Sequence, residues 1–96
     1  MKVQKIEELL LSAKEALVKK NIERSIELFT EVLKIDPENF SAIFSRGTAY
    51  FLTNQYQEAL DDFTRGISLN PDSSRLYCSR GNTYLALNET DSALND

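Results

Sequence analysis

Apolar residues recur along this chain at helical spacing, with charged residues filling the intervals. Ile6, Leu9, Leu10, Ala13, Ala16 and Leu17 share one face of a segment at 3–20. Ile22, Ser25, Ile26, Phe29, Val32 and Leu33 form a second stripe over 22–35. The pattern predicts further helices over 39–52, 55–69 and 73–87, and a sixth that starts near Glu89 and is cut off at Asp96. Asn21, Thr53-Asn54 and Asn88 supply turn residues between them. Asp36-Pro37 and Asn70-Pro71 stop helices, because the residue before proline is pushed out of helical geometry. Connections this short make consecutive helices antiparallel neighbours, so six helices in three pairs are expected. No segment alternates as a strand would.

A period of 34 residues overlies this pattern. Shifting forward by it takes Ser45, Arg46 and Gly47 to Ser79, Arg80 and Gly81, Tyr50 to Tyr84, Asn54 to Asn88, Ala59 to Ala93 and Asp62 to Asp96. Shifting backward takes Phe63 to Phe29 and Pro71 to Pro37. A fixed period of this size marks units that cannot bury their apolar faces alone and must stack. After a lead-in at 1–5, the expected units are 6–39, which is divergent, 40–73, and 74–96, which ends inside its second helix; this is about 2.7 periods.

Within a unit, Gly47 and Gly81 fall in mid-helix, where glycine costs about 1 kcal/mol relative to alanine. A helix accepts this where a neighbour comes close, and Ala59 and Ala93 are the expected small residues opposite. Tyr50 and Tyr84 would fill the next turn, and Phe29 and Phe63 would close the core from the second helix. This arrangement of small residue, Tyr, Ala, Phe and Pro resembles the tetratricopeptide repeat. Gly47, Tyr50, Ala59, Phe63 and Pro71 carry it in the middle unit, and Gly81, Tyr84 and Ala93 in the third. The first unit keeps Phe29 and Pro37 but has Ala13, Ala16 and Ser25 at the other places. The resemblance implies an all-α fold, a right-handed superhelical stack of antiparallel helix pairs. Ile43 and Tyr77 stand where the family often has Trp, an apolar exchange. Arg46 and Arg80 stand where it often has Leu. A buried arginine needs a counter-charge, and Asp62 and Asp96 occur in the same two units, whereas the first unit has Ser12 and Leu28 there. Each arginine is therefore expected to pair with an aspartate, most simply Arg46 with Asp62.

The resemblance also implies that the first helix of each pair lines a concave face. On helical spacing its candidates are Leu10, Lys14 and Leu17 in the first unit, Ser41, Phe44, Ser45, Thr48 and Phe51 in the second, and Arg75, Cys78, Ser79, Asn82 and Leu85 in the third. Apolar residues alternate there with hydroxyls and amides, which suits an extended peptide or a partner helix. One branch of the family clamps the C-terminal carboxylate of chaperone peptides with Lys and Asn, Asn, and Lys and Arg on three successive units. The matching places here hold Leu10, Lys14, Ser45, Arg75 and Ser79, and only Arg75 keeps the expected charge. Most of the charge-assisted hydrogen bonds to a terminal carboxylate would be lost, so that branch is not the expected reading.

Charge and composition narrow the alternatives. The net charge of −4 argues against a nucleic-acid binder, which needs cations to displace counterions from phosphates, and against an anionic membrane surface. There is no histidine, so histidine acid–base, nucleophilic and metal chemistry is excluded. The single cysteine, Cys78, can form neither an internal disulfide nor a multi-thiolate site, and it reads as a semi-buried small apolar residue. Glu7, Glu8, Lys14 and Glu15 interrupt the N-terminal helix, which therefore lacks the uncharged core of a secretory signal; the expected compartment is the cytoplasm. Asp61-Asp62 and Glu7-Glu8 are adjacent residues about 100° apart around a helix and form no preset catalytic dyad. The sequence thus predicts a non-catalytic protein–protein interaction scaffold, without cofactor or metal, taking a protein or peptide partner. The alternatives are self-assembly through the open C-terminal end, or a helper domain of a larger enzyme or co-chaperone.

Overall fold

The structure is a computed structural model and describes the backbone of residues 1–95 and the side chains of residues 1–88. Five helices follow one another: α1 (Lys2–Val18), α2 (Ile22–Ile35), α3 (Phe40–Leu52), α4 (Tyr56–Leu69) and α5 (Ser74–Asn95). Each packs on the next, and α3 also touches α5. The result is an elongated stack measuring 52 × 30 × 19 Å. The first helix starts at Lys2, one residue before the expected start at Val3.

Two clusters hold the stack together. Leu9 and Ala13 of α1 meet Leu28, Phe29 and Val32 of α2 and Ala42 of α3. Ala59 and Phe63 of α4 meet Leu76 of α5, with Phe40, Phe44, Tyr50 and Phe51 of α3 packed against them. The expected core role of Phe29 and Phe63 holds: both rings are buried. Fully burying such a side chain stabilises by roughly 1.5–3 kcal/mol.

Arg46 and Asp62 pair as expected. Arg46 Nε and Nη2 each donate to an Asp62 carboxylate oxygen at 2.8 Å. Nη1 donates to Thr30 Oγ1 at 3.3 Å, and the guanidinium lies 5.6 Å from the Tyr50 ring centre. One arginine thereby ties α2, α3 and α4. The hydrogen bonds to Asp62 raise the Arg46 pKa against the opposing effect of burial. A raised pKa means that the charged form's contribution is complete below the ordinary arginine value and is lost only at still higher pH. It therefore persists throughout the working range of a protein. Asp96, the expected partner of Arg80, lies outside the described residues.

Gly47 has a different neighbour from the one expected. A Cβ there would stand 2.8 Å from Phe63 Cε1 and 3.1 Å from Asp62 Cβ. The ring one turn beyond Ala59, not Ala59 itself, occupies the space that glycine leaves. Gly66 repeats the device between α4 and α5, where its Cβ would meet both Leu76 methyls at 3.1 Å.

The predicted break at Asn88 does not occur, and α5 continues through it to Asn95. The equivalent turn between α3 and α4 carries different side chains. There Asn54 adopts φ 63°. Thr53 Oγ1 donates to the Ala49 and Tyr50 carbonyls, Gln55 Nε2 donates to Thr53 Oγ1 at 2.6 Å, and the Tyr56 hydroxyl donates to Asn54 Oδ1 at 2.8 Å. One period later these three partners are Leu87, Glu89 and Thr90. The turn between α1 and α2, with Lys20 at φ 66°, forms without such a network, so the network distinguishes the Asn54 and Asn88 sites without accounting for the continuous helix. The expected sixth helix is the distal part of α5.

Candidate functional site

Helices α1, α3 and α5 present side chains to a common groove. Residues three, four and seven apart share a helix face, so Ser41, Phe44, Ser45, Thr48 and Phe51 line up along α3, and Arg75, Cys78, Ser79 and Asn82 along α5. Helix α3 enters this position through Asn39, whose side chain accepts from the Ala42 amide at 3.0 Å and satisfies a donor that the first turn leaves open. Ser73 stands at the corresponding place before α5, its Oγ 3.4 Å from the Leu76 amide.

Three adjoining cavities make up the groove. One of about 300 Å³ is lined by Lys14, Phe40, Ser41, Phe44, Ser45, Ser73 and Arg75. The next, about 430 Å³, shares Phe44 and Arg75 with it and adds Thr48, Ser74, Cys78 and Ser79. A smaller one, about 80 Å³, shares Thr48 and Ser79 and reaches Phe51, Asn82 and the edge of Phe63. Phe44 is the central floor. It packs edge-on to Phe63 at 6.1 Å between ring centres and tilted to Phe40 at 6.2 Å. The Arg75 guanidinium lies 5.1 Å above its outer side, a cation–π contact that holds the charge over the groove. Arg75 makes no hydrogen bond among the described residues, so its five donors remain available to a ligand.

The structure brings ten of the thirteen candidates together on these cavities. Leu10 and Leu17 pack instead against the first core cluster. They lie only about 40 to 60° around the helix from buried Ala13, close enough to join its contacts, whereas Lys14 sits one step further out. Leu85 is exposed and lines none of the three cavities. Cys78 is exposed in the groove rather than semi-buried, because α5 buries Leu76 and Thr83 on the opposite side. Sequence reasoning missed Phe40, Ser73 and Ser74. Phe40 was readable as the aromatic one turn before Phe44, and Ser74 as the residue one turn before Cys78; Ser73 precedes α5 and lies outside the helical register used to choose candidates.

Among the described residues, Lys14 and Arg75 are the only charged side chains lining the cavities, and both are cations. No described lining residue is a carboxylate or imidazole that could take a proton from the hydroxyls or the thiol. No group of three metal-ligating side chains occurs among the described residues, and no helix among them is long and apolar enough to cross a membrane. The arrangement offers shape, hydrogen bonds and positive charge.

Two family profiles, both described as tetratricopeptide repeat, match residues 41–73 and 63–95. Together they span more than half of the chain. No curated protein sequence matches. Among solved structures, the TPR2B domain of yeast Sti1 in complex with pHsp70 is 28% identical, with TM-score 0.83, covering 96% of this chain and 74% of that one. The second TPR of Spaghetti (RPAP3), bound to the HSP90 peptide SRMEEVD, is 25% identical, with TM-score 0.83 and coverage of 96% and 85%. The Sgt2 TPR domain from Aspergillus fumigatus, at 23% identity and TM-score 0.81, shares the fold; the match covers 88% of this chain and 56% of that one.

Proposed function

This chain belongs to the tetratricopeptide repeat family, and from that premise we propose that its α1–α3–α5 groove binds an extended peptide carrying both acidic and apolar side chains. The observation that carries this reading is Arg75 held over Phe44, with Lys14 lining the same cavity. A carboxylate reaching that cavity meets two cations, while a neighbouring apolar side chain lies on the Phe40–Phe44 floor. Ser41, Ser45, Thr48, Ser79 and Asn82 supply hydrogen bonds to the peptide backbone. The acidic peptide SRMEEVD held by the similar Spaghetti domain supports the same polarity. The work of the groove is binding, with no bond-making step.

The departure from the carboxylate-clamp pattern at Leu10, Ser45 and Ser79 favours a side-chain carboxylate over a terminal one. Fluorescence polarisation with a labelled SRMEEVD peptide tests both points. Binding is expected to weaken about tenfold in Arg75→Ala, the scale of one charge-assisted hydrogen bond of roughly 1.5 kcal/mol, and less in Lys14→Ala, whose cation is more mobile. Amidating the peptide's C-terminus is expected to change affinity less than replacing its two glutamates by glutamine. Binding indifferent to both cation substitutions would refute the groove, and binding abolished by amidation alone would restore the terminal clamp.

A further inference from the structure

The cavity at one end of the groove offers more donors than a carboxylate can use. It lies where α1, α3 and α5 meet, measures about 300 Å³, and has Lys14, Ser41, Ser45, Ser73 and Arg75 as its polar lining. Elsewhere in the helices, hydroxyls shielded from water donate to a carbonyl of their own helix: Ser25 to Ile22, Thr30 to Ile26, Thr48 to Phe44 and Thr83 to Ser79. Ser41 and Ser45 do not. Ser41 is the second residue of α3, with no helical carbonyl one turn before it, and Ser45 makes no bond to the Ser41 carbonyl among the described residues. Both residues are half-buried and sit one turn apart on the cavity wall. Neither Lys14 nor Arg75 has a carboxylate partner among the described residues, and no described lining residue is a carboxylate. The ammonium and the guanidinium carry three and five donors. The cavity also lies at the N-terminal ends of α3 and α5, where aligned peptide dipoles add positive potential.

Given that the groove binds an acidic peptide, the reading on which this rests, we propose that the Lys14–Ser41–Ser45–Arg75 cavity takes the phosphate of a phosphoserine or phosphothreonine in that peptide. A carboxylate brings one negative charge and two oxygens, and the Arg75 fork alone can fill both. Lys14, Ser41 and Ser45 would then have no acceptor of their own. A phosphomonoester brings a charge of about −1.5 to −2 near pH 7 and three strong acceptor oxygens. The additional oxygen and charge reach the three groups that a carboxylate leaves idle. No described lining carboxylate opposes the second charge, so like-charge repulsion does not penalise the dianion there. With such a peptide Ser41 and Ser45 serve the phosphate, while Thr48, Ser79 and Asn82 hold the backbone.

The test uses the 96-residue chain and fluorescence polarisation, comparing labelled SRMEEVD with the same peptide carrying phosphoserine at one or the other glutamate position. At about pH 7.5 the better phosphopeptide is expected to bind about tenfold tighter than SRMEEVD, the effect of one added charge-assisted hydrogen bond. In Ser41→Ala/Ser45→Ala that preference should fall to about threefold or less, with circular dichroism checking that the variant stays helical. Lys14 from α1 and Arg75 from α5 are the titratable groups lining the cavity among the described residues, and α3 contributes none. The phosphate takes up its second proton near pH 6, that is, at about its second pKa. Lowering the pH from about 7.5 to about 5 should therefore erase the preference, whereas SRMEEVD, whose glutamates ionise near about pH 4.3, keeps most of its affinity. A preference absent at the higher pH, or unchanged by acid or by the double variant, would overturn the proposal, while Arg75-dependent binding of SRMEEVD would leave the groove standing. No binding by any of the peptides would remove the groove and the phosphate site together. Inorganic phosphate that displaces SRMEEVD as effectively as the phosphopeptide does would also overturn it, because the cavity would then be a site for the free anion.

Discussion

Replacing Asp62 by leucine, the residue that the first repeat carries at this place as Leu28, should destabilise the protein far more than an ordinary surface change. The Asp62 side chain is 8% exposed and that of Arg46 22%. Removing one partner of a buried ion pair costs about 3–5 kcal/mol, because the other charge is left uncompensated. Arg46 keeps its bond to Thr30 and a path to water, which lowers the expected cost of Asp62→Leu to about 2–3 kcal/mol. A chain of this length has roughly 5–14 kcal/mol in total, so the loss is a large fraction. The double variant Arg46→Leu/Asp62→Leu should recover most of it, because apolar pairs of similar volume replace buried ion pairs at little cost. Urea unfolding followed by circular dichroism, run as a double-mutant cycle, reads both numbers. A coupling of about 2 kcal/mol is expected for residues in direct contact. A single-variant cost below about 0.5 kcal/mol, the size of an ordinary surface effect, or a double variant equal to the sum of the two singles, would refute the reasoning.

Two further outcomes follow from the backbone. Gly47→Ala should destabilise by about 1–3 kcal/mol, because its methyl meets the Phe63 ring and overpacking outweighs the gain in helix propensity; Gly81→Ala, with open space around it, should instead stabilise by about 0.5–1 kcal/mol, and thermal unfolding of the pair shows whether the signs differ. Lys20 adopts φ 66° between α1 and α2, a conformation that costs a side-chain-bearing residue about 1–2 kcal/mol, so Lys20→Gly should raise the urea midpoint, and an unchanged or lowered midpoint would show that the turn is not strained.

What could be read from the sequence was whatever depended on periodicity. The stripe through Phe29 and Val32 and the proline stops at Pro37 and Pro71 needed only local rules. The Arg46–Asp62 pair was legible because both charges appear together in one repeat and are missing together in another. Most of the groove followed from helical spacing along α3 and α5. The errors have a shared cause, which is that a single residue was asked to do what a neighbourhood does. Asn88 was expected to break a helix, but α5 runs through it, and the Thr53, Gln55 and Tyr56 side chains around Asn54 have no counterparts there. Gly47 announced a close neighbour without saying that Phe63, rather than Ala59, would be the nearest. Leu10 and Leu17 joined the core because a helix face has graded sides, and Cys78 was set in the groove by Leu76 and Thr83 taking the buried side of α5.

The central claim is that the α1–α3–α5 groove is where a peptide binds. The most direct measurement is an amide nitrogen–proton correlation spectrum of the isotopically labelled chain, titrated with the SRMEEVD peptide. The account predicts that shifts concentrate at Lys14, Ser41, Ser45, Thr48, Arg75, Ser79 and Asn82, while Glu27 and Glu31 on the outer side of α2 and Arg65 on α4 stay in place. Shifts confined to α2 and α4, or spread evenly with no saturation, would contradict it.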